Sequence, residues 1–226
     1  MLVIVAFVSQ KGGVGKSTLA RALAAVTAAY SIKVRIADLD PRQHTVASWQ
    51  ERRQDNRASP SLDVASFASV AEAIAATSSS DELLIIDAPA GTSNQTLEIA
   101  RYADLVVQPT GGGIDDLDPA IILFHELLRA GVPRERLVMA FCRTATEAEE
   151  NTARAYVAKA GYAVLPGAIP ERAAYREAHN RGEAVTEARL KAVNARADAL
   201  IGRLLSMITE KVKARVLAAK ARGKTA

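Results

Sequence analysis

Short runs of β-branched and other apolar residues alternate along the chain with longer stretches whose apolar positions recur every three or four residues. The short runs predict strands at 2–8, 33–38, 62–67, 83–87, 104–108, 136–141 and 162–165. The longer stretches predict helices at 16–30, 43–57, 69–78, 93–102, 117–130, 147–160, 171–180 and 186 to about 218. Strands that are apolar throughout are the kind buried on both faces. Their alternation with helices predicts an α/β fold, a mostly parallel twisted sheet with helices on both faces. Ser59-Pro60-Ser61 and Gly111-Gly112-Gly113 read as loops inside one domain, and no repeat or interdomain linker interrupts residues 1–226. In such sheets ligands sit at the carboxyl ends of the strands, so the informative residues are expected there.

Composition narrows the picture. The 226 residues can bury a core without disulfides or metals, and 49% hydrophobic with 24% charged residues excludes a disordered chain. Aromatics are scarce and alanine makes up about a fifth of the chain, which favours helices packed closely on a sheet. The single cysteine, Cys142, excludes a disulfide framework and a cysteine-cluster metal site within one chain, and it suits a reducing, cytoplasmic setting. No apolar run approaches the ~20 residues that span a bilayer. The run Leu2–Val8 has no basic leader before it and enters a glycine-rich loop, so it reads as a buried strand. Charge is uneven. Residues 187–226 carry ten Lys/Arg against three Asp/Glu, whereas residues 1–186 carry 19 against 22. A slightly acidic body with a basic C-terminal helix and tail, from about 200 to 226, points to a polyanion at that end.

The first strand leads into Gln10-Lys11-Gly12-Gly13-Val14-Gly15-Lys16-Ser17-Thr18 and then a helix. Three glycines let the backbone curl with its N–H groups inward, and the helix N-terminus adds a positive dipole end. Lys16 is placed for β/γ-phosphates and the Ser17 hydroxyl for Mg²⁺. A glycine-rich turn with a chance lysine is the plain alternative, but the preceding strand, the following helix and the ending GKST argue against it. Leu83-Leu84-Ile85-Ile86-Asp87 is a buried strand ending in a carboxylate, the pattern that holds Mg²⁺ through water. Asp38-Leu39-Asp40-Pro41-Arg42-Gln43 follows the second strand, where a carboxylate can orient an attacking water; two acids capping a loop is the alternative. No N-K-x-D string selects guanine, so ATP is favoured.

The regular phosphate-loop pattern needs Gly at position 10, where Gln10 stands, and it lacks the second lysine at position 11. KGGVGKST resembles the deviant Walker A motif of the ParA/MinD ATPases, and the resemblance runs through most of the chain. It implies a P-loop NTPase fold in which ATP is sandwiched in a homodimer. Lys11 would be the signature lysine that reaches the partner's nucleotide. Gly12, Gly13, Val14, Gly15, Lys16, Ser17 and Thr18 would bind phosphate, with Ser17 on Mg²⁺. The second acidic segment is similar to the family's D-x-D-P-Q, which implies that Asp40 serves hydrolysis and Asp38 lies near the metal. Arg42 stands where the family has Gln. Ile169-Pro170-Glu171-Arg172 resembles the base-side stretch, with Pro170 as the base contact.

Among ParA/MinD proteins the chain looks like the small plasmid-partition ParA type. The strand beginning at residue 2 leaves no room for an N-terminal helix-turn-helix. That type implies weak Mg²⁺-dependent ATP hydrolysis, non-specific DNA binding on the nucleoid and stimulation by a centromere-binding, ParB/ParG-like adaptor. Lys211, Lys213 and Arg215 are the DNA-contact candidates, because clustered charge is all that phosphates require. A plain solvated helix end is the alternative. A MinD-like ATPase on a membrane surface is the runner-up function, but residues 200–226 contain no aromatic to insert in lipid. An iron–sulfur reductase on this scaffold would need two cysteines per chain. Of the remaining residues, Trp49 reads as helix–sheet packing, Cys142 as a small core residue, His125 as structural, and His44 and His179 as exposed.

Overall fold

The computed structural model describes residues 1–40, 45–91, 94–189 and 191–222, without the side chains of 191–193 and 221–222. Arg42, Gln43, His44 and Lys224 therefore lie outside the described residues. Strands β1 (Val3–Ser9), β2 (Val34–Asp38), β3 (Asp63–Ser66), β4 (Leu83–Ala90), β5 (Leu105–Thr110), β6 (Leu137–Thr144) and β7 (Ala163–Val164) form a sheet in the order β3-β2-β4-β1-β5-β6-β7. Every pairing in it is parallel. A short β8 (Ile169–Pro170) also pairs with β6. The helices are α1 (Lys16–Ala29), α2 (Thr45–Asp55), α3 (Val70–Ala75), α4 (Asn94–Tyr102), α5 (Ile114–Arg129), α6 (Glu147–Lys159), α7 (Ala173–Asn180) and α8 (Lys191–Arg222).

The central strand shows why fully apolar runs become sheet. Val3, Val5 and Phe7 join one core cluster, with Leu19 and Leu23 of α1, Trp49 of α2, and Leu200 and Leu204 of α8. Ile4, Ala6 and Val8 join the other, with Val70, Ile99, Leu117, Phe124 and Val157 from α3, α4, α5 and α6. Successive residues of a strand face opposite sides, so a strand covered on both sides is apolar at every position. Burying one such side chain is worth about 1.5–3 kcal/mol. The expected doubly covered parallel sheet is the observed one.

The differences are at the ends of elements. β4 continues past Asp87 through Pro89 to Ala90, α5 starts at Ile114 with Pro119 inside it, and α3 stops at Ala75. The expected final helix is two pieces, a 3₁₀ turn at Val185–Glu187 and then α8, which runs on to Arg222. Among the described residues no helix is long and apolar enough to cross a membrane.

Candidate functional site

β1 ends where the glycine loop begins, and α1 starts on Lys16 directly after it. Gly13 and Gly15 have φ of 71° and 114°, a conformation other residues rarely adopt. Gly15 has a second constraint, because a Cβ there would lie 2.9 Å from Cys142 Sγ on β6. The loop floors a cavity of about 320 Å³ at the carboxyl ends of the strands. Its walls include Gly12, Gly13, Gly15, Lys16, Ser17 and Thr18, with Asp40, Asp87 and Pro170. Residues from four separate stretches of sequence thus converge where the sheet rule places a ligand.

Lys16 is 8% exposed, and its Nζ donates to the Lys11 carbonyl at 3.4 Å. Burial lowers its pKa, with Asp87 and Asp40 opposing the shift. Asp87 is also buried, and burial pushes its carboxyl up to about 7; Asp38 adds to this, while a hydrogen bond with Ser17 and the charges of Lys16 and Arg21 pull it back. Asp87 Oδ1 has no hydrogen-bond partner among the described residues. A hydroxyl beside a carboxylate with an unused oxygen is a donor set that suits a hard divalent cation.

Asp38 pairs in register with Asp87 but does not reach the cavity wall. Its Oδ1 accepts from Asp40 N at 3.0 Å and its Oδ2 from Val46 N at 3.2 Å. Both oxygens therefore hold backbone amides on either side of residues 41–44. Asp38 thus stands beside Asp87, whose carboxyl it helps to push up, while its own oxygens accept from two backbone amides.

Lys11 does not line this cavity either. It lines a neighbouring one with Val14 and Gly111–Gly113, where its Nζ is 2.6 Å from Asp116 Oδ1 at the start of α5. The second lysine thus points away from its own chain's Lys16 site.

Sequence reasoning missed part of the wall. Arg143, the last residue but one of β6, has a non-glycine φ of 59°, and its Nη1 donates to the Gly13 carbonyl at 3.2 Å. It stands at a strand's carboxyl end, which is the signal that would have found it. His179 also lines the cavity, so the expectation of an exposed residue is wrong. Burial and the nearby Arg21 and Arg52 push its pKa down to about 4. The reason is tertiary: α7 packs on α2, and Arg52 Nε donates to the His179 carbonyl at 3.4 Å. His125, by contrast, is exposed on α5, with its ring 5.5 Å from that of Tyr162. Trp49 and Cys142 are core residues as read; burial pushes the Cys142 thiol up to about 12.

The basic C-terminal residues lie far from this cavity. Arg215 is ion-paired with Asp104 and donates to the Leu2 carbonyl at 3.1 Å, at the amino ends of β5 and β1. Lys211 is half-buried near Glu135 and Arg136, while Lys213 and Lys220 are exposed.

No curated protein sequence matches the chain. Solved structures do match in fold. The MinD cell division protein of Aquifex aeolicus superposes with a TM-score of 0.69 at 20% identity, covering 90% of this chain and 97% of that one. A ParA family ATPase from Chlorobium tepidum gives 0.65 at 18%, covering 88% and 98%. An ATP complex of McdA from Cyanothece gives 0.67 at 15%, covering 90% and 96%. At such identities the likeness speaks for the fold. The sequence family described as the CobQ/CobB/MinD/ParA nucleotide binding domain matches residues 5–185. With the glycine loop, the buried Lys16 and the strand-end Asp87 around one cavity, that match over most of the chain means that this protein belongs to the CobQ/CobB/MinD/ParA nucleotide-binding family.

Proposed function

We propose that this protein is a DNA-partition ATPase of the ParA type, which binds ATP with Mg²⁺, pairs as a homodimer around the nucleotide, and then binds DNA without sequence preference. The observation that carries the reading is the cavity at the strand ends, where a buried lysine faces a carboxylate with an unused oxygen. In this reading the backbone amides of Gly12, Gly13 and Gly15 and the Lys16 ammonium hold the phosphates, with Val14 and Thr18 completing the loop. Ser17 and Asp87 hold Mg²⁺, which when bound neutralises charge on the phosphate oxygens. Pro170 lies against the base. Asp40 accepts a hydrogen bond from the attacking water and keeps it aligned. Lys11 serves the partner's nucleotide, and its position outside its own chain's cavity supports that role. A centromere-binding adaptor would stimulate hydrolysis and release.

DNA contact would come from the exposed lysines of α8, chiefly Lys213 and Lys220, because Arg215 already has a carboxylate partner. The test is binding to random-sequence duplex with ATP or ADP over a salt series. ATP-loaded protein should bind and ADP-loaded protein should not. Each phosphate neutralised adds about −0.9 to the slope of log affinity against log salt. Lys213→Ala with Lys220→Ala should flatten that slope equally for all sequences. Equal binding in both nucleotide states, or none, overturns the proposal. ATP-dependent capture by anionic vesicles in place of DNA would establish the membrane-surface alternative.

A further inference from the structure

Arg21 is a buried cation that none of the roles above uses. It lies on α1 one turn after Ser17, is 4% exposed, and reaches the cavity wall. Its guanidinium sits 5.2 Å over the Trp49 ring, and its Nη2 donates to the Thr45 carbonyl at the first residue of α2. Among the described residues it has no ion-pair partner, and its Nε has no hydrogen-bond partner. Burial pushes its pKa down to about 10. A buried charge held without a salt bridge is costly, and a packing role alone would be served better by an apolar side chain.

The contact at Thr45 has a consequence for the Asp40 segment. Asp38 fixes the amide of Asp40 at one end and that of Val46 at the other. Both of those ties refer the segment to β2. Arg21 supplies the tie to α1, the helix that also carries Lys16 and Ser17. It therefore couples the element that holds phosphate to the element that follows the water-orienting carboxylate. We propose that Arg21 is a positioning residue for hydrolysis, tying α1 to the start of α2 and thereby setting Asp40 relative to the phosphate site.

The inference rests on the reading of Asp40 as the residue that orients water, and its test separates the two. Arg21→Met keeps the packing over Trp49 and removes the donors. Hydrogen exchange of the amides of Asp40 and of residues 45–50 in the nucleotide-free protein should rise in this variant, and Arg21→Lys should restore protection in part. Unchanged exchange overturns the tie, whether or not the wild type hydrolyses ATP. For ATP hydrolysis, Arg21→Met should lower kcat by about 10- to 100-fold, the loss that a misplacement of about 1 Å brings, with KM within roughly threefold of wild type. In an Asp40→Ala background the same substitution should slow turnover no further, because its effect passes through Asp40. Parallel losses in kcat and nucleotide affinity, or full additivity with Asp40→Ala, would refute the positioning role. A wild type that does not hydrolyse ATP would refute the ATPase reading and leave the exchange result to decide the tie.

Discussion

Replacing Asp87 by Asn should stabilise the nucleotide-free protein while removing its response to Mg²⁺. Burial holds the Asp87 carboxyl at about 7, against 3.8 for the free side chain. Because the folded value is the raised one, the native state keeps this proton after the unfolded chain has lost it. The contribution is therefore present below pH ~4 and is lost as pH rises through ~7. Each unit is about 1.36 kcal/mol, so the gap of about three units amounts to roughly 4 kcal/mol of lost stability at pH 8. A neutral amide of the same shape escapes that loss. Urea denaturation without Mg²⁺ should show Asp87→Asn more stable than wild type, by a margin that grows by about 2–3 kcal/mol between pH 5 and pH 8. Adding Mg²⁺ and nucleotide at about 100 times Kd should stabilise wild type by about 2.7 kcal/mol and the variant much less. A margin that does not change with pH would refute the reasoning, because it would mean that the carboxyl ionises at its ordinary value.

Two further substitutions probe the loop. Lys11→Ala should leave nucleotide binding nearly intact, since Lys11 lies off its own chain's cavity, but abolish the ATP-dependent dimer, read by light scattering; a dimer as strong as wild type would rule out the sandwich. Gly15→Ala puts a methyl group 2.9 Å from Cys142 Sγ at a φ of 114°, so it should cost about 1–3 kcal/mol by denaturation and weaken ATP binding more than tenfold, and wild-type behaviour would show that the loop adapts freely.

What could be read from the sequence was whatever is fixed by neighbours along the chain. A strand such as 83–87 announces itself by being apolar at every position, and the glycine loop is local because its curl, its lysine and its helix start are consecutive. β8 could not be read, because two residues have no period and Ile169–Pro170 is a strand only through its pairing with β6. His179 failed for a related reason: its helix looks like solvated charge, but its environment is decided by a distant segment, α2. The Asp104 partner of Arg215, 111 residues away, was out of reach of local pattern in the same way. The motif marked the position of Asp38 beside Asp87, but the amides of Asp40 and Val46 that its two oxygens accept from could not be read, because they depend on tertiary placement.

The close fit of Gly15 against Cys142 has a practical consequence. Cys142 is the chain's one thiol, it lies in the core behind the glycine loop, and its pKa of about 12 keeps it protonated at neutral pH. Thiolate is the reactive species, so reagents should pass this protein by. A cysteine introduced at an exposed position such as Ser206 or Thr209 on α8 would then be the sole label site. A single fluorophore per chain could report the distance between two protomers, or the approach of α8 to a polymer, with no background substitution required.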